Sequence, residues 1–202
     1  MLFIVISSFF SYLLGSINPA LIISKKIYGK DIRNEGSGNA GATNALRTMG
    51  KKTAALVFLC DFSKGLIAVA AAKSFIIFFD APYECMLFAG FFVQFGHCFP
   101  LFFRFRGGKG VATAAGAAMG IMPLVAVILL AFFAVIAASS RIISVASGFC
   151  ASLYPLLAYF LTGTNNTMNF VFAASCSVLI IIMHGANLAR LADGQEKPIS
   201  SK

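Results

Sequence analysis

The stretch "VATAAGAAMGIMPLVAVILLAFFAVIAA", residues 111–138, decides the fold of this chain, because it is almost entirely apolar and Pro123 divides it. As one α-helix, at 1.5 Å per residue, it would extend about 42 Å. That length is too great for one untilted crossing of a ~30 Å hydrocarbon core and too small for two full crossings. The stretch therefore predicts two short helices that meet at Met122 and Pro123, or a re-entrant hairpin at the same place.

The composition of the whole chain is that of a membrane protein. Its 202 residues are 59% hydrophobic and only 11% charged, whereas soluble domains contain about 25% charged residues. Five further apolar runs have the length of a membrane-spanning helix, at residues 2–23, 53–72, 83–103, 142–161 and 169–184. We therefore predict an all-α integral membrane protein with about seven transmembrane helices, two of them short, in a single domain over residues 1–202.

The positions of the basic residues predict how the chain lies in the membrane. Residues 25–52 contain seven Lys and Arg side chains, and loops rich in these residues stay in the cytoplasm. If residues 111–138 cross out and back, all but two of the 16 basic side chains fall on that face. Those outside the first loop are Arg104, Arg106, Lys109, Arg141, Arg190, Lys197 and Lys202. The predicted N-terminus is then outside and the C-terminus cytoplasmic.

The net charge of +9 also limits the partners that the chain can bind. In a soluble protein this charge would suggest that the protein binds nucleic acid. Here the basic residues lie in loops between apolar segments, which favours lipid headgroups and anionic substrates and predicts no nucleic-acid partner. No protein partner can be named from the sequence.

The first polar cluster is "NEGSGNAGATNALRTMGKK", residues 34–52. Glycines such as Gly38 allow tight turns in which successive N–H groups converge on an anion. Ser37, Asn39 and Asn44 add side-chain donors, and the planar guanidinium of Arg47 suits a phosphate. The cluster predicts an anion site, and the alternative is a flexible linker whose charges only set the topology.

The second polar cluster is "GHCFPLFFRFRGGKGVAT", residues 96–113. Gly107, Gly108, Lys109 and Gly110 directly precede a helix predicted to begin at Val111. Unpaired N–H groups and a partial positive charge make a helix N-terminus an anion site. The alternative is a basic turn that anchors the bundle to anionic lipid. The same cluster contains a histidine at position 97, and His97 either orients this loop or contacts the substrate.

The third polar cluster is "HGANLARLADGQE", residues 184–196. His184, Asn187 and Arg190 are three residues apart, so they share one helical face. His184 could equally be an interior histidine with a structural role. Ser144 and Ser147 share a face of the helix predicted over residues 142–161, although helical serines often only donate to the carbonyl four residues earlier.

Two charged residues interrupt the apolar segment 53–72. Asp61 and Lys64 lie three residues apart in "CDFSKG", and ionisable residues inside membrane spans are costly. They therefore either pair with each other as a buried structural pair, which we favour, or reach a functional site.

Together these patterns resemble the bacterial acyl-phosphate:glycerol-3-phosphate acyltransferase family. The first cluster matches S-G-N-x-G-x-x-N-x-x-R-x-x-G from Ser37, and the second matches G-H-x-F-P-x-F-x-x-F-x-G-G-K-G-V-A-T from Gly96. The third matches H-x-x-N-[IL]-x-R-L-x-x-G-x-E from His184, and D-x-x-K-G occurs at Asp61. The resemblance covers the whole chain with the patterns in the family's order.

This resemblance implies a fatty acyl phosphate and glycerol-3-phosphate as substrates, in the first step of membrane phospholipid synthesis. The implied products are 1-acylglycerol-3-phosphate (lysophosphatidate) and inorganic phosphate. It implies no metal and no cofactor, and neither acyl-CoA nor acyl-carrier protein as donor. It also implies a multi-pass protein of the bacterial cytoplasmic (inner) membrane, with the active site facing the cytoplasm.

An acyl phosphate is already activated, so the protein need only hold two phosphates, align the hydroxyl and stabilise developing charge. We therefore expect direct transfer without an acyl-enzyme. The predicted catalytic residues are Ser37, His97, Lys109 and Arg47. The predicted substrate-binding residues are Gly38, Asn39, Asn44, Gly107, Gly108, Gly110, Ser144, Ser147, His184 and Asn187. The alternative is an organic-anion or phosphate transporter, although such proteins often contain inverted repeats and bind near the midplane.

Overall fold

A computed structural model of the chain describes residues 1–199, so Lys202, which the charge analysis places in the cytoplasm, lies outside the described residues. All regular secondary structure within residues 1–199 is helical, which confirms the all-α prediction. The α-helices are α1 (Leu2–Ser16), α2 (Pro19–Tyr28), α3 (Ala42–Met49), α4 (Lys51–Phe79), α5 (Glu84–Cys98), α6 (Val111–Ile121), α7 (Pro123–Ser140), α8 (Ile143–Leu161), α9 (Asn166–Met183) and α10 (Gly185–Ala192).

The seven predicted segments are mainly helical, but the prediction of one continuous helix over residues 2–23 is wrong. That segment is divided between α1 and α2, because Pro19 begins a second helix that Asn18 caps. Five spans in the described part of the chain are long and apolar enough to cross a membrane, at Leu2–Tyr28, Lys51–Phe79, Glu84–Phe103, Pro123–Ser140 and Ile143–Leu161. A sixth arises if α9 and α10, which are bent by 59° at their junction, form one span. The count of seven crossings and the orientation of the termini stay predictions.

The predicted break at Met122 and Pro123 is confirmed. Helix α6 ends at Ile121 and α7 begins at Pro123. Proline lacks an N–H group and has a fixed φ, so it suits the first position of a helix and breaks a helix that reaches it from the N-terminal side. The 11 residues of α6 extend only about 16 Å, which is less than a hydrocarbon core. The two alternatives for α6 and α7, which are crossing out and back or forming a re-entrant hairpin, both stay predictions.

The chain divides at this break into two compact units, unit 1 (Met1–Ile121) and unit 2 (Met122–Lys202). The expectation of a single domain over residues 1–202 stays a prediction. In unit 1, glycines let helices approach closely, as small residues do between membrane helices. A Cβ at Gly15 or Gly96 would overlap a backbone oxygen across the α1–α5 contact, and one at Gly65 or Gly116 would do so across the α4–α6 contact.

These approaches bring the C-terminal ends of α1 and α5 against the middle of α4. Helix α4 has 29 residues, about 43 Å at 1.5 Å per residue, so it continues well beyond the level at which α1 and α5 end. Its charged pair, Asp61 and Lys64, lies at that level. The packing of unit 1 therefore places charged side chains next to the loops that leave α1 and α5.

Unit 2 is built on α8, which packs against both α7 and α9. The rings of Phe132 and Phe149 lie 5.7 Å apart between α7 and α8, and those of Tyr154 and Phe172 lie 6.3 Å apart between α8 and α9. The amide of Ile199 donates to the carbonyl of Arg141 at the α7–α8 junction (2.7 Å). The C-terminal segment of unit 2 thus returns to the beginning of α8.

Candidate active site

Loop A, residues 29–41, is organised around the side chain of Asn44, which is buried in the first turn of α3. Its amide Nδ2 donates to two carbonyls of the loop (3.1 and 2.9 Å), and its Oδ1 accepts from the amide N–H of Ser37 (2.9 Å). Gly36 and Gly38 have φ angles of 56° and 73°, which favour glycine. The structure therefore uses Asn44 to shape loop A, and its predicted contact with substrate stays a prediction.

The other candidate residues of this segment are accessible. Ser37 and Gly38 are exposed at the tip of loop A, and Asn39 is half-buried. Arg47, which follows Asn44 by three residues on α3, is also half-buried. A phosphate that approaches loop A can reach Ser37 and Gly38, whereas it could reach the Asn44 amide only if the loop opened.

Arg33 joins loop A to loop B, residues 99–110, which connects α5 to α6. Its Nη1 donates to the carbonyl oxygens of Phe103 (3.0 Å) and Arg106 (3.3 Å). Its Nε and Nη2 donate to the two carboxylate oxygens of Asp31 (3.0 and 2.7 Å). These hydrogen bonds from Arg33 hold the pKa of Asp31 well below its usual range. No motif or spacing in the sequence indicates this connecting role of Arg33.

A second connection between the loops is a close approach at Gly108. A Cβ there would overlap Nε2 of His97 and would lie 2.8 Å from the carbonyl oxygen of Ala40 in loop A. The same carbonyl accepts from Nδ2 of Asn18, which caps the N-terminus of α2 (3.2 Å). Only a residue without a side chain fits at position 108, which explains one glycine of the "GGKG" motif.

The amides of Gly107 and Gly108 are used within the protein. They donate to the carbonyl oxygens of Cys98 and His97 (3.1 Å each), so they tie loop B to the end of α5. We expected them to face an anion as part of the glycine-rich turn, but these two N–H groups are already hydrogen-bonded. The predicted contacts of Gly107 and Gly108 with substrate stay predictions.

Lys109 and Gly110 lead directly into α6, as predicted. Gly110 has a φ of 76°, and a Cβ there would lie 2.7 Å from Gln94. Both the backbone conformation and the lack of space therefore disfavour a side chain at this position. Its carbonyl accepts from Ala114 in the first turn of α6 (2.8 Å). Lys109 is half-buried, one residue before this turn and the partial positive charge at the N-terminus of α6. The predicted coincidence of a lysine with a helix N-terminus is therefore confirmed.

Asp61 and Lys64 form the buried pair that we favoured, and His97 joins it. Nζ of Lys64 lies 2.9 Å from Oδ1 of Asp61, and 2.8 Å from Nδ1 of His97. It also donates to the carbonyl oxygens of Gly15 (3.1 Å) and Ile17 (2.9 Å) at the end of α1. The ring of His97 is only 3% exposed. Its predicted catalytic role stays a prediction, but the surroundings of the ring are protein groups.

In unit 2 a single carboxylate collects the polar side chains of the third cluster. Glu196 accepts from Ser144 (2.9 Å) and Asn187 through Oε1, and from Nε of Arg190 (2.8 Å) through Oε2. Burial raises the pKa of Glu196, but the hydrogen bonds from Asn187, Arg190 and Ser144 outweigh burial and hold the pKa below its usual value. Glu196 belongs to the motif of the third cluster, but it is not among the site residues predicted from the sequence.

His184 lies at the bend between α9 and α10 and is buried. Its Nδ1 lies 2.8 Å from the carbonyl oxygen of Ile180, and because a carbonyl only accepts, Nδ1 carries a proton. The hydroxyl of Ser147 donates to the carbonyl of Ile143 four residues earlier (2.9 Å), as helical serines commonly do. The substrate contacts of His184, Asn187, Ser144 and Ser147 stay predictions.

No group of three or more His, Cys, Asp or Glu side chains that could hold a metal ion occurs in the described residues. The candidate groups of unit 1 are hydrogen-bond donors and cations from loops A and B, and those of unit 2 form a cluster centred on the carboxylate of Glu196. Such groups can bind phosphate and align a hydroxyl group.

Comparison with known proteins gives a consistent result over nearly the whole chain. The model of the glycerol-3-phosphate acyltransferase family matches residues 5–194. A glycerol-3-phosphate acyltransferase of Nitrosomonas europaea is 42% identical over 195 residues, which cover 96% of each chain. The enzyme of that name from Thermoanaerobacter pseudethanolicus is 39% identical over 202 residues, covering 100% of this chain and 98% of its own.

Two crystal structures are similar in fold as well as in sequence. Both are of PlsY, an integral membrane glycerol 3-phosphate acyltransferase. The glycerol 3-phosphate form has a TM-score of 0.87 at 39% identity, covering 96% of this chain and 94% of its own. The lysophosphatidic acid form has a TM-score of 0.84 at 38% identity, with the same coverage. The arrangement of helices described above is therefore shared with a protein that resides in a membrane.

Proposed function

This chain belongs to the glycerol-3-phosphate acyltransferase family, and on that premise we propose that it transfers a fatty acyl group from an acyl phosphate to glycerol-3-phosphate. It is a multi-pass membrane acyltransferase of phospholipid biosynthesis. The proposed products are 1-acylglycerol-3-phosphate and inorganic phosphate. The glycerol 3-phosphate and lysophosphatidic acid forms of the PlsY structures support the proposed acceptor and product.

In the proposed step, the 1-hydroxyl oxygen of glycerol-3-phosphate forms a bond to the acyl carbonyl carbon. The bond between that carbon and the bridging phosphate oxygen breaks, and its electron pair leaves with the phosphate. The hydroxyl proton passes to an oxygen of the leaving phosphate, so the step needs no oxidant, metal or further reactant. The protein's contribution is alignment of the two substrates and stabilisation of the negative charge that develops on the carbonyl oxygen.

The observation that carries this proposal is the contact between loops A and B. The hydrogen bonds from Arg33 and the approach of Gly108 to Ala40 join two segments that both contain groups suited to phosphate. A flexible linker would need no such connection, and a lipid-anchoring turn would need only loop B. The connected loops therefore favour a phosphate-handling site over both of these alternatives.

We assign roles to the candidate residues of unit 1 according to their accessibility. We assign Arg47 and Lys109 to the binding of phosphate groups, because a guanidinium and an ammonium provide charge-assisted hydrogen bonds. Ser37, exposed at the tip of loop A, is assigned to donate a hydrogen bond to the reacting groups, with Gly38 and Asn39 beside it. Gly107, Gly108 and Gly110 set the path of loop B.

The residues of unit 2 are assigned to the acceptor. His184 and Asn187 bind glycerol-3-phosphate, and the hydroxyl group of Ser144 takes part in the same binding. The hydroxyl group of Ser147 donates within its own helix and is given no part in this binding. Glu196 orients Asn187 and Ser144 by accepting from both. The carboxylate is therefore proposed to act by fixing the donors and not by contact with the substrate.

The surroundings of the candidate nucleophile and base support the proposal of direct transfer without an acyl-enzyme. A nucleophilic serine needs an adjacent general base. Ser37 lies on an exposed loop, while the ring of His97 is enclosed by Asp61, Lys64 and Gly108. The chemistry also makes a covalent intermediate unnecessary, since the acyl phosphate is already activated.

We further propose that the protein resides in the bacterial cytoplasmic membrane with its active site facing the cytoplasm. The segment 25–52, loop B, Arg141 and the C-terminal segment would then lie on the cytoplasmic side, as the distribution of basic residues favours. Single cysteines placed in these segments, in a variant without the five native cysteines, should react with an impermeant reagent only when the cytoplasmic face is open to it.

The proposed activity is tested with purified protein in detergent, acyl phosphate and labelled glycerol-3-phosphate. We expect equal amounts of inorganic phosphate and labelled lysophosphatidate, and no product when acyl-CoA or acyl-carrier protein replaces acyl phosphate. Lys109→Ala should lower kcat/KM by about tenfold to a hundredfold, since a lost charge-assisted hydrogen bond is worth about 1.5–3 kcal/mol. Lys52→Ala, at an exposed lysine of α4, is the matched control.

Three outcomes would contradict the proposal. Uptake of labelled glycerol-3-phosphate into liposomes without product would indicate the transporter. An acylated side chain trapped by rapid quenching would exclude direct transfer. Full activity in the Lys109→Ala variant would remove the role assigned to that lysine.

A further inference from the structure

We propose that the buried pair of Asp61 and Lys64 fixes the tautomer of His97, and that His97 is a positioning residue that holds loops A and B together. This inference rests on the acyl transfer proposed above, because it concerns the same two loops. It assigns His97 no proton transfer to or from the substrate. It also gives a function in the active site to two charged residues that lie within the bundle.

The donors of Lys64 determine the protonation of the ring. An ammonium group has three donors and no acceptor. Two of its donors reach the carbonyl oxygens of Gly15 and Ile17, and the ring nitrogen Nδ1 of His97 lies 2.8 Å from Nζ. The third donor lies between Nδ1 of His97 and Oδ1 of Asp61, which is 2.9 Å from Nζ. We assign this donor to the nearer atom, Nδ1, which then accepts. The proton of a neutral His97 therefore lies on Nε2.

Asp61 keeps this ammonium charged. Its Oδ1 lies 2.9 Å from Nζ of Lys64 and 3.1 Å from Nδ1 of His97. The carboxylate therefore lies within contact of both groups, and its negative charge balances the buried charge of Lys64. Side chains of Asp61 and Lys64 are only 3% and 6% exposed, so neither charge would be tolerated there without the other.

The protonated Nε2 faces the junction of the two loops. A Cβ on Gly108 would overlap Nε2 and lie 2.8 Å from the carbonyl oxygen of Ala40, so both atoms border the space that Gly108 leaves empty. The backbone carbonyl oxygen of His97 also accepts from the amide N–H of Gly108 (3.1 Å). His97 therefore contacts loop B through its backbone and its ring, next to a carbonyl of loop A.

This arrangement connects the helices to the loops in one chain of contacts. Lys64 fixes the end of α1 and the ring of His97 against the middle of α4. The ring in turn fixes the approach of Gly108 to Ala40. Displacement of the ring would therefore separate the segment that contains Ser37 from the one that contains Lys109, without any change in those two side chains.

The tautomer itself can be measured. The chain has two histidines, so protein labelled with ¹⁵N-histidine gives two sets of ring signals, and a His184→Asn variant assigns them. We expect His97 to be protonated at Nε2 and unprotonated at Nδ1. A ring of His97 that is protonated at Nδ1 in the native protein would overturn the proposal.

Kinetics separate positioning from proton transfer. Glutamine can place an N–H donor near the position of Nε2 but cannot act as an acid or base. We expect His97→Gln to retain kcat within about tenfold of the native enzyme. His97→Ala should lower kcat by about a hundredfold or more and raise the KM for acyl phosphate, because both loops move. If His97→Gln were as slow as His97→Ala while remaining folded, His97 would act chemically and the proposal would be wrong.

The role of the pair requires a variant that remains folded. Lys64→Met leaves the charge of Asp61 buried alone, so the matched test is the uncharged double variant Asp61→Leu with Lys64→Met. We expect the double variant to recover a melting temperature close to that of the native protein, with kcat still at least about tenfold lower. Full recovery of kcat would show that the pair only balances charge and would overturn its positioning role. Lys73→Met, at an exposed lysine of the same helix, should change neither quantity.

Failure of this inference differs from failure of the proposed function. If the native protein produced no lysophosphatidate from acyl phosphate, the proposed function would be wrong, and the tautomer measured by NMR would still report on the buried contacts. If the native protein were active but His97→Gln behaved like His97→Ala, only the positioning role would be lost.

Discussion

The candidate residues of unit 1 and those of unit 2 are held in place by different kinds of hydrogen bond. In unit 1 the side chains donate mainly to backbone carbonyls, as Arg33 does to Phe103 and Lys64 does to Gly15, 70 and 49 residues apart. In unit 2 the side chains of Ser144, Asn187 and Arg190 converge on one carboxylate, Glu196. Unit 1 is thus stabilised by several separate connections, whereas the cluster of unit 2 depends on a single residue.

The difference determines where each unit is sensitive to substitution. A backbone carbonyl cannot be removed by changing a side chain, so in unit 1 the sensitive positions are the donors and the glycines that permit close approach. In unit 2 the sensitive position is the shared acceptor, because its loss affects three side chains together. The predictions below test this contrast, from the largest expected effect to the smallest.

The largest effect is expected at Gly108 in unit 1. In Gly108→Ala the added Cβ would overlap Nε2 of His97 and approach the carbonyl of Ala40, so loops A and B must separate. Overpacking of this kind costs about 1–3 kcal/mol of stability, and a shift of about 1 Å in an active site can cost about a hundredfold in rate. We therefore expect kcat/KM to fall by about a hundredfold or more, measured as lysophosphatidate formation.

The matched control for that substitution lies in unit 2. At Gly148, in α8, a Cβ would meet no atom within 4 Å, so Gly148→Ala should leave activity unchanged and should slightly raise the melting temperature. Equal losses of activity in the Gly108→Ala and Gly148→Ala variants would show that close approach at Gly108 is not what the site requires.

The next largest effect is expected at Glu196. Glu196→Gln keeps the shape of the side chain but removes its charge, so the bonds from Ser144, Asn187 and Arg190 weaken together. Hydrogen bonds to a charged group are worth about 1.5–3 kcal/mol, and we expect a loss of about 2 kcal/mol in stability with a tenfold or greater rise in the KM for glycerol-3-phosphate. Melting temperature and steady-state kinetics measure the two effects.

Glu35→Gln is the control for charge removal. Glu35 pairs with Lys30 at 3.4 Å, but both side chains are more than a third exposed, and such surface pairs are worth about 0–1 kcal/mol. A loss in Glu35→Gln as large as that in Glu196→Gln would mean that net charge, and not the convergence on Glu196, explains the result.

Features that depend on local sequence could be predicted, and features that depend on distant contacts could not. Pro123 ends one helix and begins another through its own covalent geometry, and Gly110 precedes α6 for a similarly local reason. Asp61 and Lys64 pair because they lie one helical turn apart. By contrast, Arg33 donates to the carbonyl of Phe103. Every residue has a carbonyl, so the sequence around Arg33 does not indicate which carbonyl its side chain binds.

The role of Glu196 was missed for a related reason. Its bond to Ser144 joins residues 52 positions apart, and a carboxylate in a polar C-terminal segment has no local feature that predicts burial. The burial of Asn44 was missed because Asn is usually a surface residue. A motif match alone cannot separate residues that shape a loop from residues that contact the substrate.

A smaller effect is expected when the link between the two loops is altered conservatively. Lysine cannot reproduce the geometry of Arg33, which contacts both oxygens of Asp31 and two carbonyls of loop B. We expect Arg33→Lys to lower kcat/KM by about tenfold with little loss of folded protein in detergent. Arg104→Lys, at an exposed arginine of loop B, should be nearly neutral. If both variants had native activity, the connection through Arg33 would be unnecessary for catalysis.

The pH dependence of stability gives a smaller effect with a definite sign. The folded-state pKa of Glu196 lies below its usual value, so its stabilising contribution is present above the unfolded-state pKa, about 4.3, and is lost as pH falls further. The difference in melting temperature between native protein and Glu196→Gln should therefore be largest near neutral pH and should narrow below about pH 4. A difference that stays constant with pH would contradict the role of the ionised carboxylate.

The smallest effects are expected at Ser144 and Ser147, two serines on one helical face whose roles the sequence does not distinguish. Ser144 donates to Glu196 at 2.9 Å, whereas Ser147 donates to the carbonyl of Ile143 in its own helix, also at 2.9 Å. Ser144→Ala removes one donor to an ionised acceptor, so we expect a rise of about fivefold in the KM for glycerol-3-phosphate, equivalent to about 1 kcal/mol. Ser147→Ala removes only a bond within the helix and should change KM by less than about twofold. If Ser147→Ala had the larger effect, its hydroxyl oxygen would be accepting a hydrogen bond from the substrate, and unit 2 would contain a direct contact that does not depend on Glu196.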